Sequence, residues 1–273
     1  MKKILRMNRG LGWRRIFSLA NFGTVFEYEL LALWATRGKL LNALLLLPIL
    51  NLSFLGAGIA SFAPKDASVF GTTHYLAFLL PGMLGIELLR TFSHVIYRLT
   101  LDKRYGLQGL KISAGTGVLG YILGILILPA IVFVIQTFVM LLVLFLLSIP
   151  LGKPGNVCLM LGVGIISTWF WSALAMLISF AFKKYAQRDL FIALVILPLT
   201  LASPAFYSLQ NAPKYLQVVG CCNPLTYNIV ALREAFLSGH FSGSFLGIIL
   251  GTLCFIFCVG LLISRGEFVS SET

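Results

Sequence analysis

The sequence predicts an all-α membrane protein: six transmembrane helices, an N-terminal interfacial amphipathic helix, and a short outer helical pair before the last span. Three observations lead there. Of the 273 residues, 59% are apolar and only 11% charged, with a mean hydropathy of +0.95, well above what a water-soluble domain of this length requires. Apolar stretches of about 20 residues recur, each long enough to cross a hydrocarbon core about 30 Å thick at 1.5 Å per residue. The basic residues are spread unevenly over the segments between those stretches.

The six stretches run over 40–62, 75–97, 118–147, 157–182, 190–207 and 245–264. Their richness in Gly, Leu and Phe suits helices packed on helices in lipid; a β-barrel would need short alternating segments instead. With the N-terminus inside, sixteen of the 21 Lys and Arg fall in cytoplasmic segments, among them Arg14, Arg15, Lys103, Arg104, Lys184 and Arg265. Only Lys65, Lys153, Lys214 and Arg233 fall outside, and Arg90 lies within a span. Basic loops stay on the cytoplasmic side, so both termini are expected there. The net charge of +12 is thereby read as topology and contact with anionic membrane lipids, with no nucleic acid as partner.

No cleavable leader is expected, because the basic start (1–15) runs into a mixed segment containing Glu27 and Glu29 without a compact apolar core. Over 13–39, Ile16, Leu19, Phe22, Phe26, Leu30, Leu33 and Trp34 recur at three- and four-residue spacing, which fits a helix lying in the interface. Arg14, Arg15, Arg37 and Lys39 flank it at headgroup level. Such a helix is either a gate at the cytoplasmic face or simply the anchor preceding the first span.

Glu87, Arg90 and His94 share one face of the second span. Ionisable groups are costly inside a membrane, so this face should avoid lipid. It reads either as an Arg snorkelling beside a local Glu partner or as a polar patch facing a subunit interface or a substrate path. The segment 98–116 holds Asp102, Lys103, Arg104, Gly106, Leu107, Leu110 and Lys111. With Leu107 and Leu110 one turn apart, it is either a solvated loop or a short amphipathic helix that offers an apolar edge to another protein while its basic residues stay solvated. Pro198, Ser203 and Pro204 interrupt the fifth span, and such breaks are usually buried in protein. Asn211, Pro213, Gly220, Asn223, Pro224 and Gly239 divide 208–243 into two short helices, which either dip into the outer leaflet or cap it. Gly152, Pro154 and Gly155 mark a turn.

Much chemistry is excluded. No G-x-x-x-x-G-K-[ST] phosphate loop occurs, so any ATP chemistry must come from another chain. His74, His94 and His240 are scattered and the five cysteines lack metal-ligand spacing, so neither a metal site nor catalytic residues are expected. Adjacent Cys221 and Cys222 are expected as free thiols, since neighbouring Cα atoms about 3.8 Å apart fall short of the usual disulfide range. No G-x-S-x-G turn supports a hydrolase.

Several short motifs, in order, resemble the ABC-2 family of exporter permeases. Leu80-Pro81-Gly82-Met83-Leu84 is similar to the family's Pro-Gly-Leu/Met-Leu element, and Asp102-Lys103-Arg104-Tyr105-Gly106 to its charged segment ending in Gly. Ser203-Pro204-Ala205-Phe206-Tyr207, Pro213, Asn223-Pro224-Leu225-Thr226-Tyr227 and Ala231-Leu232-Arg233 follow the family's order in the last third. Leu107-Gln108-Gly109 stands where Thr-Leu-Glu often follows, and no clear Gly-x-x-Trp precedes the first span, which favours the drug and lipo-oligosaccharide branch.

The resemblance implies a multi-pass permease of a bacterial plasma (inner) membrane, paired with a second permease copy and two copies of a separate ABC ATPase subunit. ATP and Mg would sit on that ATPase and no cofactor on this chain. Asp102, Lys103, Arg104, Gly106, Leu107 and Leu110 would couple to it. Glu87, Arg90, His94, Pro204 and Tyr207 would line or gate a path for a lipid, lipid-linked glycan or hydrophobic drug along the dimer interface. The competing expectations are an ion-coupled secondary transporter using Glu87, Arg90 and His94, and a membrane-embedded lipid-modifying enzyme, for which no cluster of catalytic groups is evident.

Overall fold

The computed structural model describes residues 75–107, 111, 118–149, 151–182 and 184–264, with isolated positions at 23, 26, 27, 30, 31, 34, 46–50, 53, 54 and 58. The interfacial helix predicted at 13–39 and the span predicted at 40–62 lie almost wholly outside these residues. The described residues are all-helical, with no strand among them. Besides a helical turn at Leu47–Leu50 and a 3-10 turn at Leu209–Asn211, the helices are α1 (Tyr75–Arg104), α2 (Val118–Leu146), α3 (Pro154–Ser179), α4 (Tyr185–Leu201), α5 (Lys214–Cys222), α6 (Pro224–Leu237) and α7 (Gly243–Ser264). Four stretches are long and apolar enough to cross a membrane: Tyr75–Arg104, Val118–Leu146, Pro154–Ser179 and Gly243–Ile263.

Helix α3 is the hub, packing against α1, α2, α6 and α7. Its small residues permit this, because apolar side chains gain nothing from leaving lipid and close approach must come from shape. A Cβ at Gly164 would stand 2.1 Å from the Phe133 ring of α2, and Phe170 of α3 occupies the space beside Gly251 of α7. Trp171 meets Phe92 of α1 edge to face, with ring centroids 5.5 Å apart. Several hydroxyls within the helices bond back to their own chain, as Thr100 does to the Ile96 carbonyl, Thr168 to Gly164 and Thr252 to Ile248. No water is then needed to satisfy them.

Helix ends depart from the hydropathy boundaries. α1 continues seven residues beyond the predicted 97, since Leu99, Thr100 and Asp102 are buried against the bundle. Lys103 and Arg104 in its last turn complement the helix dipole. Gly106, at φ +66°, ends it, with its N–H on the Lys103 carbonyl. Thus Asp102, Lys103 and Arg104 belong to a helix and not to a loop. α3 starts at Pro154, whose missing N–H costs nothing at a first helical position, so the predicted turn contracts to Gly152 at φ +72°. α4 begins earlier and stops sooner than predicted, leaving Ser203 and Pro204 outside it. Pro disfavours helical backbone at the residue before it, which ends the helix ahead of Ser203.

Candidate functional site

Where α4 breaks off, backbone carbonyls that a continuing helix would have used are left without their usual partners. Side chains from four places supply them. Asn223 Nδ2 donates to the Leu199 carbonyl at 2.7 Å, and the same side chain caps α6 by accepting from the Leu225 N–H at 2.9 Å. The Ser203 hydroxyl donates to Thr200, and the Tyr207 hydroxyl to Leu201 at 3.0 Å. Arg233 Nη2 donates to the Pro204 carbonyl at 2.9 Å while its guanidinium lies 3.7 Å from the Phe78 ring centroid. The Tyr75 hydroxyl donates to Phe206 at 2.7 Å. A Cβ at Gly82 would stand 2.1 Å from the Ala205 carbonyl oxygen, so only glycine admits the break this close to α1. The motifs at 80–84, 203–207, 223–227 and 231–233 are therefore one assembly. Pro204 is buried within it and Tyr207 is half-buried at its edge.

Midway along α1, Arg90 Nη1 donates to both oxygens of Glu87 at 2.8 Å. Gln136 Nε2 of α2 adds a third bond to this carboxylate at 3.1 Å. Glu87 is buried, Arg90 is one-third exposed and His94, one turn further, is exposed and outside this network. Gln136 was not legible as a partner, because it lies 49 residues away and nothing local in the sequence links it to Glu87.

At the far end of α1, Lys111 pairs with buried Asp102 at 2.9 Å, and Lys103 Nζ reaches the Phe180 carbonyl after α3 at 3.4 Å. The Arg104 guanidinium sits 4.6 Å from the Tyr185 ring centroid. Arg188 of α4 lies between Tyr97 at 4.1 Å and Tyr185 at 4.8 Å and bonds Asp189 at 2.8 Å. The expectation that the basic residues of this segment are simply solvated is thus corrected: Lys103 and Lys111 are turned onto the bundle because acceptors are within reach there. Tyr105, Gly106 and Leu107 form the exposed tip, and Leu110 lies outside the described residues. Tyr185 and Arg188, missed from sequence, are found only by the contact between α1 and α4. The described residues hold no group of three His, Cys, Asp or Glu that could bind a metal ion.

Long apolar helices around a small-residue hub, with a broken helix sealed by side chains, define a helical membrane protein. A family model described as ABC-2 type transporter matches residues 20–237. The chain belongs to that family, whose domain is a membrane translocation component that normally pairs with an ABC ATPase. No curated protein matches the chain.

Proposed function

We propose that this chain is the permease subunit of an ATP-driven exporter, working as a homodimer with two copies of a separate ATPase in a bacterial inner membrane. Six spans, with both termini cytoplasmic, complete the reading: the four long helices, α4 as a short span of about 25 Å, and one span before α1. The observation that carries it is family membership over 20–237 in a sequence that has no phosphate loop of its own. The 16-to-4 distribution of basic residues supports the orientation. Leu190, Leu194, Leu197 and Leu201 form an exposed stripe along α4, which supports pairing of two copies through that helix.

In this reading the tip at Tyr105 to Leu107 is the foot that meets the ATPase. Closure of the ATPases can shift the permease only if the foot is held differently in two states. The contacts of Asp102, Lys103 and Arg104 with the bundle give it the stiffness this needs. The cargo is an amphipathic or hydrophobic molecule drawn from the cytoplasm or inner leaflet, and Arg90 and His94 face its path, with buried Glu87 behind Arg90. An ion-coupled carrier is less well supported, since the Glu87 carboxylate already engages Arg90 and Gln136.

Purification of the tagged chain is expected to bring down an ATPase with a phosphate loop. Leu107→Asp, on the exposed tip, should lower substrate-stimulated ATP hydrolysis about tenfold with membrane insertion intact. Vectorial transport by the chain alone in sealed vesicles would overturn the reading.

A further inference from the structure

Exposure along α1 changes abruptly at Arg90. From Ala77 to Leu89 every residue but Ile86 is buried, whereas beyond that point Arg90 is one-third exposed and His94, Tyr97 and Leu101 are exposed. Spacings of four, three and four residues put these positions on one face, so they form a continuous open strip. The strip is basic at its closed end. With Arg98, Lys103 and Arg104 at headgroup level, Arg90 lies eight residues below Arg98, about 12 Å into the hydrocarbon.

A cation at that depth is retained only where something answers its charge. Glu87 does so in part: both of its bonds from Arg90 use Nη1, and the other two guanidinium nitrogens have no partner among the described residues. No other carboxylate of the described spans is in a position to help, since Asp102 is held by Lys111 and Asp189 by Arg188. A second copy laid over this strip about a two-fold axis would set it against itself, cation against cation. The complementary occupant is an anion that enters with its own apolar body.

From this we infer that the Arg90–His94 strip binds the phosphate headgroup of an amphiphile from the inner leaflet, making the exporter's cargo an anionic lipid and not a neutral drug. This rests on the orientation and exporter reading given above. A phosphate suits the site because its oxygens accept from the unused fork of Arg90, while His94 one turn away adds a donor. Burial of α1 on the far side of Arg90 stops the headgroup there, and Leu101 together with the exposed edge of Tyr97, whose ring carries Arg188 on one face, leaves the strip continuous with the cytoplasmic interface.

The test uses the full-length chain in phosphatidylcholine nanodiscs and four fluorescent probes: phosphatidic acid, diacylglycerol, polyprenyl phosphate and polyprenol. Each phosphorylated probe is expected to bind about tenfold more tightly than its neutral counterpart. Preference between the two phosphorylated probes tells a bulk glycerophospholipid headgroup from a polyprenyl carrier. His94→Gln leaves the Glu87–Arg90 pair intact and should weaken only the phosphorylated probes, about threefold. The double variant Glu87→Gln/Arg90→Gln leaves no orphan charge and should abolish the preference for phosphate with neutral binding unchanged. Equal affinity for charged and neutral probes, or an unaltered preference in the double variant, overturns the inference. So does efficient short-range cross-linking between copies at His94→Cys that phosphatidic acid and polyprenyl phosphate leave unchanged, since a second copy would then cover the strip. The ATPase is absent from these titrations. Failure to capture an ATPase would sink the exporter reading and leave phosphate binding standing, whereas loss of phosphate preference in a chain that still captures an ATPase would sink only this inference.

Discussion

The two ends of α4 are held in opposite ways. Only Arg188 and Ile192 of this helix are buried, so its position depends on its ends. At the first, Arg188 rests between the faces of Tyr97 and Tyr185. At the last, Asn223, Tyr207 and Arg233 aim hydrogen bonds at the carbonyls of Leu199, Leu201 and Pro204. A cation over a ring tolerates sliding and contributes about 0.5–2 kcal/mol. A carbonyl in hydrocarbon has no water to turn to, and leaving it unpaired costs about 1–3 kcal/mol or more. The difference teaches that α4 is held by directional bonds at its break and by less directional ring contacts at its start, beside the segment proposed to meet the ATPase.

The largest effect is expected at the break. Gly82→Val should destabilise the fold by about 3 kcal/mol or more, because its Cβ meets backbone at Ala205 and no side chain can yield. Thermal unfolding in detergent reads this directly, and a wild-type midpoint would mean that the two segments do not touch. Next comes Arg233→Ala, at about 2–3 kcal/mol, which removes both the bond to Pro204 and the contact with Phe78. Arg233→Lys should recover only part, since an ammonium cannot stack and present a flat fork together.

The smallest stability effect belongs to the other end. Tyr185→Ala should cost about 1 kcal/mol or less, yet reduce stimulation of ATP hydrolysis more than Arg233→Lys does. Tyr185→Phe keeps the ring face and should be silent. If Tyr185→Ala instead unfolds the protein as readily as Arg233→Ala, the contrast between the ends is lost.

Hydropathy located α1, α2, α3 and α7 because lipid solvation depends on local composition. It misplaced their ends, because a helix stops where its hydrogen bonds stop. α1 runs past its oily stretch on the burial of Asp102 and the left-handed Gly106, whereas α4 ends ahead of Ser203 and Pro204 while the sequence is still apolar. Glu87 and Arg90 were legible as a pair because three residues of helix set their spacing. Gln136, Tyr185 and Arg188 were not, since each meets its partner across a helix interface.

By itself, then, this sequence determined that the chain is a helical membrane protein, which stretches are apolar and long enough to be candidate spans, and that its short motifs follow the order of one family. Those properties are local, readable from twenty residues at a time. Only the tertiary structure decided that motifs up to about 150 residues apart close around the α4 break, and that the Arg90 face is covered on one side and open on the other. Partners for buried carbonyls and charges are chosen by proximity in space, which no local window of sequence contains.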